Sequence, residues 1–184
     1  MGHAYVDDNE TIYYNDSYMK LNLSGNDSIS LFASINDNPL DQLISGQSTV
    51  FINSIKVKAT GYLDPDATDF NYTHAKFLTG IVPFDLFNID NGPSEVDDYQ
   101  QLKGWPLKGC VGFSNVLRPR DNAMLSSEWQ GYNSNFSYTK TYKPRKALLL
   151  SRMQAVCFTV KNDFVTGSDF NVLLSIEIQM KRGD

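Results

Sequence analysis

The stretch SDFNVLLSIEIQMKRGD sets Phe170, Val172, Leu174, Ile176, Ile178 and Met180 at every second position, with mostly polar residues between them. A β-strand points successive side chains to opposite faces, so this period of two makes one apolar and one wet face along about 11 residues. Such a strand needs a sheet beside it and a second layer over its apolar face. The same period recurs upstream: Ile29, Leu31, Ala33 and Ile35 alternate in SISLFASI. In FINSIKVKA, Phe51, Ile55, Val57 and Ala59 are expected to share a face, with Lys56 and Lys58 opposite. YMKLNL (18–23), AKFLTGIV (75–82), GCVGFSNVL (109–117), SNFSYTKTY (134–142) and QAVCFTVK (154–161) bring the expected strands to eight.

Turn clusters separate these segments: SGNDS, NDNPLD, GYLDPDATD, NIDNGPSE and KNDFVTGSD, each rich in Gly, Asn, Asp or Pro. Helix signals are sparse. PSEVDDYQQL (93–102) has Ser94 as an N-cap and acids in its first turn, and KALLLSRM (146–153) fits helix or strand equally. Eight strands with irregular connections predict an all-β fold, an eight-stranded antiparallel jelly-roll sandwich with at most one or two short helices. The long connection over 83–108 suits a projecting loop. With 184 residues, 41% of them hydrophobic, the chain has enough material for one domain spanning 1–184, with 1–17 set apart as a flexible arm.

Several function classes find no footing. No apolar run reaches 18 residues, and the opening MGHAYVDDNETIYY lacks a secretory layout, so a soluble chain is expected. Cys110 and Cys157 lie in apolar runs and are expected to be buried thiols. There are two histidines, His3 and His74, so a nucleophile-histidine pair would have to be built on His74. HExxH, GxSxG, a P-loop and GxGxxG are all missing, which argues against an enzyme and against a cofactor. Asp64, Asp66 and Asp69 in DPDATD offer oxygen ligands to Ca²⁺ but fail the EF-hand spacing, so no metal is expected. Asn9, Asn15, Asn22, Asn26, Asn71 and Asn135 head N-x-S/T triplets, and Arg182-Gly183-Asp184 spells a tripeptide that integrins read in flexible loops.

Charge is divided unevenly. Residues 1–102 hold 4 Lys+Arg and 15 Asp+Glu, a net of −11, and residues 103–184 hold 12 and 6, a net of +6; together these give −5. The second half therefore suits a polyanion. Lys140, Lys143, Arg145 and Lys146 flank Tyr142 and Pro144 in KTYKPRK, and Arg118 and Arg120 add LRPR. Cations interleaved with aromatics neutralise phosphates and stack bases, so these six are the candidate nucleic-acid contacts. The competing reading is a solvated strand edge protected by charge.

The order of these features resembles the single jelly-roll coat proteins of small icosahedral viruses, most of all those of circular Rep-encoding single-stranded DNA viruses. DNPLDQLISGQSTVFINSIKVKATGYL resembles the family's acidic loop leading into an I-x-x-I-x-V-K strand, and FTVKNDFVTGSDFNVLLSIEIQMK resembles its last strands and the turn between them. The resemblance implies self-assembly of identical copies into a shell, location in the virion, and assembly in the host nucleus or cytoplasm. Phe84, Trp105, Trp129 and Tyr132, in loop-like sequence, are the candidate subunit contacts. One departure stands out: the first 19 residues hold no Lys or Arg, whereas such coats usually carry a basic N-terminal arm. Two rivals use the same sandwich, a surface carbohydrate-binding module with Trp and Tyr platforms and a trimeric spike-like domain.

Overall fold

The computed structural model describes residues 2–25, 27–36, 38–44, 46–63, 75–83, 92–94, 106–114, 135–146, 148–162 and 169–183. Among the described residues, eleven strands and one helix follow in the order β1 (His3–Val6), β2 (Ile12–Leu23), β3 (Ser28–Ala33), α1 (Asn38–Ile44), β4 (Thr49–Leu63), β5 (Ala75–Pro83), β6 (Gly92–Ser94), β7 (Pro106–Ser114), β8 (Asn135–Tyr142), β9 (Leu148–Ser151), β10 (Gln154–Asn162) and β11 (Phe170–Arg182). The alternating segment at the chain's end is β11, and it lies at the centre of its sheet.

The first sheet runs β1-β2-β11-β4-β8, with β9 continuing the β8 edge along β4. The second runs β6-β3-β10-β5-β7. Every pairing is antiparallel. With β8 and β9 taken as one interrupted edge, β2-β11-β4-β8 and β3-β10-β5-β7 are the two four-stranded sheets of a jelly roll, and β1 and β6 are additions. The expected fold class holds.

Directly opposed residues share a face, and here they are the core. Ile178 faces Ile55, Ile176 faces Val57, and Leu174 faces Ala59, all buried. From the other sheet come Ile29, Leu31, Phe77, Val156, Phe158 and Val160, joined to them in one cluster. Burying each large aliphatic side chain contributes about 1.5–3 kcal/mol, which makes this inter-sheet layer the main source of stability. Tyr138 of β8 closes the layer at one side, its ring stacked 4.1 Å from that of Phe77.

The two sheets treat their outer faces differently. On the second sheet Phe32, Leu78, Val82, Ala155 and Cys157 form another buried cluster, beside a 2.7 Å hydroxyl pair between Ser30 and Thr159. Hence β10 is buried on both faces from Ala155 to Asn162. Burial pushes the Cys157 thiol up to about 12. On the first sheet the outer face stays wet: Asn15, Ser17, Lys56, Lys58, Glu177 and Lys181 are exposed.

Several expectations need correction. Most of the stretch set apart as an arm is sheet, because His3–Val6 and Ile12–Leu23 are strands. NDNPLD does not simply turn; its last residues start α1, with Asp41 in the first turn. The 146–153 segment resolves to strand, as β9 followed by a tight turn into β10. Pro93 and Ser94 belong to β6, not to a helix, and 95–102 lie outside the described residues. Phe51 does not share a face with Ile55. The β4–β11 register shifts between Gln179 and Met180, so Asn53 is an extra residue and Ile52, not Phe51, joins the core.

α1 is held by two arginines. Arg182 donates from Nε and Nη2 to the Leu43 carbonyl oxygen at 3.0 and 2.7 Å. Arg152, in the β9–β10 turn, donates from Nε to the Gln47 carbonyl at 3.1 Å and from Nη1 to Asn36 Oδ1 at 3.1 Å, and its Nη2 lies 2.6 Å from Asp41 Oδ1. Arg182 is therefore occupied, and Gly183 is buried with its N–H on the Thr49 carbonyl at 3.2 Å. Neither residue sits in the flexible loop that integrin recognition would require.

Candidate functional site

The basic segment of the second half emerges from an interruption in a sheet edge. Asn135–Tyr142 pairs with Tyr62–Ile55 of β4, and Leu148–Ser151 pairs with Ile52–Thr49. Between Ile52 and Ile55 the β4 strand has two residues, Asn53 and Ser54, while the edge strand has five, 143–147. Five residues cannot lie flat against two, so the excess is pushed out of the sheet. The described part of this insertion is Lys143, Pro144, Arg145 and Lys146, with all three cations exposed. The extruded loop coincides with the Asn53 bulge in β4.

Lys140 is placed differently. It lies directly opposite Val57, a core residue, so it points to the inner side of β8 between Tyr138 and Tyr142 and is half-buried. A lysine at such a rim lays its stem on apolar surface and keeps its ammonium in water. The outward side of the same edge carries Ser137, Thr139 and Thr141, with Lys58 opposite Thr139 and Lys56 opposite Thr141. Cations and hydroxyls thus line this margin of the first sheet. Among the described residues, no carboxylate forms an ion pair with Lys56, Lys58, Lys143, Arg145 or Lys146. Lys56 and Lys58 were visible to sequence reasoning only as the wet side of a strand, because their nearness to residues 139–146 depends on strand order.

The opposite margin is the β1–β2 hairpin. Asp7 organises its turn: Oδ1 accepts from the N–H groups of Asn9 and Thr11 at 2.9 Å each, and Tyr13 Oη donates to Oδ2 at 3.2 Å. Glu10 takes a φ of 61°, a left-handed conformation that closes the turn. Asp8 and Glu10 are exposed. Tyr5 is 54% exposed and stacks on Tyr13 with ring centroids 5.0 Å apart.

The remaining candidates fall as follows. Arg118, Arg120, Phe84, Trp105, Trp129, Tyr132, Asp64, Asp66, Asp69 and His74 lie outside the described residues. Asn9, Asn15 and Asn22 are exposed on or beside β2, Asn135 opens β8, and Asn26 and Asn71 lie outside. Among the described residues no group of three or more His, Cys, Asp or Glu is placed to hold a metal ion, and no helix is long and apolar enough to cross a membrane.

No family model and no curated protein matches this chain. Among solved structures it is similar to a chain of Cocksfoot mottle virus, with 13% identity, a TM-score of 0.36, and coverage of 94% of this chain and 96% of that one. It is also similar to a chain of the Israeli acute paralysis virus full particle heated to 63 degrees, with 12% identity, a TM-score of 0.35, and coverage of 98% and 71%. Neither is a circular Rep-encoding single-stranded DNA virus. Likenesses this distant carry no function across.

Proposed function

We propose that this chain is a structural coat protein whose identical copies assemble into a closed icosahedral shell. The observation that carries the reading is the full jelly-roll strand order, β2-β11-β4-β8 facing β3-β10-β5-β7, in a chain whose sequence resembles coat proteins over the regions that become β4 and β11. A fold alone assigns no function, so the weight rests on that conjunction. Within this proposal the chain comes from a circular single-stranded DNA virus and forms one domain. Its copies meet through Phe84, Trp105, Trp129 and Tyr132, and packaged nucleic acid is contacted by Lys143, Arg145 and Lys146, with Lys140, Arg118 and Arg120 completing the set. The extrusion of Lys143–Lys146 from the sheet supports contact with a polyanion, since these cations stand clear of their own fold.

Electron microscopy and light scattering of the purified protein test the proposal. Spherical particles of megadalton mass are expected. A species of 20.7 kDa that persists across salt and pH would overturn it, and a sugar-dependent change in tryptophan fluorescence from that monomer would point to the carbohydrate-binding alternative.

A further inference from the structure

The first sheet carries opposite charge on its two margins. At one margin the β1–β2 hairpin presents Asp8 and Glu10, and at the other the extruded loop presents Lys143, Arg145 and Lys146. A single row of paired residues, Val6–Ile12–Met180–Ile52–Leu148, crosses the sheet from one margin to the other. Val6 and Ile12 flank the acidic turn, and Leu148 adjoins the basic loop, so both clusters lie close to the two ends of this row. Neither cluster is neutralised within the chain: among the described residues, Asp8 and Glu10 form no ion pair, and the three cations form none. Each margin also bears a large exposed apolar side chain on its strand, Tyr5 at 54% on β1 and Leu149 at 51% on β9.

We infer that the partner for each margin is the opposite margin of a second copy of this chain, joined head to tail. This rests on the self-assembly part of the coat reading, and within the shell it gives Lys143, Arg145 and Lys146 to the contact between copies in place of nucleic acid. A twofold contact of either margin with itself would set acid against acid or base against base, which like charges oppose. A head-to-tail contact instead sets the acidic hairpin of one copy against the basic loop of the next, and repetition closes a ring when the rotation between copies allows it. Exposed ion pairs of this kind orient and steer association more than they hold it, so the apolar pair Tyr5 and Leu149 is assigned the anchoring contact. Association should accordingly weaken as salt rises past the point where the screening length falls below about 8 Å.

A charge swap tests the contact, using nuclease-treated protein so that nucleic acid does not bridge copies. One variant carries Lys143→Glu, Arg145→Glu and Lys146→Glu, another carries Asp8→Lys and Glu10→Lys, and a third combines all five. Asp7 is left intact because it builds the turn. Circular dichroism checks that each variant folds. Each single-margin variant is expected to raise the protein concentration needed for association by about tenfold or more, and the combined variant to recover it, since its margins are again complementary. A combined variant no better than either parent, or single-margin variants that associate like the original, would overturn the inference.

Carbodiimide cross-linking supplies a second readout. It joins a carboxylate to a lysine amine as an amide, with the reagent leaving as the urea that takes up the oxygen. In a mixture of ¹⁴N- and ¹⁵N-labelled protein, links from Asp8 or Glu10 to Lys143 or Lys146 are expected between light and heavy chains. Shells without such links would refute this contact and leave the coat reading standing. A small oligomer with them would uphold the contact and refute the shell, and a monomer without them would refute both.

Discussion

Arg152 ties down a single stretch of chain, 36–47, that lies far from it in sequence. Its guanidinium spans Asn36 before α1, Asp41 within α1 and Gln47 after it, and its own carbonyl accepts from Asn36 Nδ2 at 2.8 Å. The Asp41 pair is partly exposed, at 29% and 49%, so its Coulombic share is small, and the hydrogen bonds to the backbone and Asn36 matter more. Arg152→Ala is expected to cost about 1–3 kcal/mol, measured as a lowered urea midpoint at unchanged slope. Cys157 makes a pH-dependent prediction. Its folded-state pKa is raised from 9.0 to about 12 by burial, so below pH 9 both states keep the proton and the thiol has no effect on the pH dependence. Above that, the unfolded chain ionises first and stability falls as pH rises towards the folded value. Cys157→Ala should lose less stability between pH 9 and 11 than the unsubstituted protein; parallel curves would show that the thiol does not contribute. The burial of Cys157 was legible in AVCFTV, whereas the role of Arg152 was not, since nothing local in LSRMQ distinguishes it from a solvated turn arginine.

At the scale of elements, alternation was readable wherever one face is wet. β11 shows it, with burial switching at nearly every residue. β10 hides it, because both of its faces are covered and the sequence gives a continuous apolar run instead. α1 was masked because Asn, Pro and Asp serve turns and helix starts alike, and seven residues are too few for periodicity to decide. β1 was missed because four residues of mixed character carry no pattern; it is recognised by its register with Ile12–Asn15. The basic margin was legible in KTYKPRK, but its acidic counterpart was not, since sequence does not reveal which segments occupy opposite margins of one sheet. β1 also packs against α1. Deleting residues 2–11 is therefore expected to lower the thermal midpoint by about 5 °C or more, equivalent to a kcal/mol or more for a domain this size. An unchanged melting curve would instead restore the reading of this stretch as a flexible arm.

For the molecule as a whole, the position of β11 dominates. It is flanked by β2 on one side and β4 on the other, so the middle of the first sheet is filled by residues 170–182, far along the chain from both neighbours. A chain ending at residue 169 is expected to lack the cooperative unfolding transition of the full chain, because β2 and β4 would be separated by an empty strand position. Circular dichroism during thermal unfolding checks this, and a sharp transition in the shortened chain would contradict it. On the ribosome, everything made before β11 waits as incomplete sandwich, its apolar faces uncovered. Translation must carry residues 170–182 clear of the exit tunnel before the sheet can zip shut, so until then the nascent polypeptide depends on chaperone shelter.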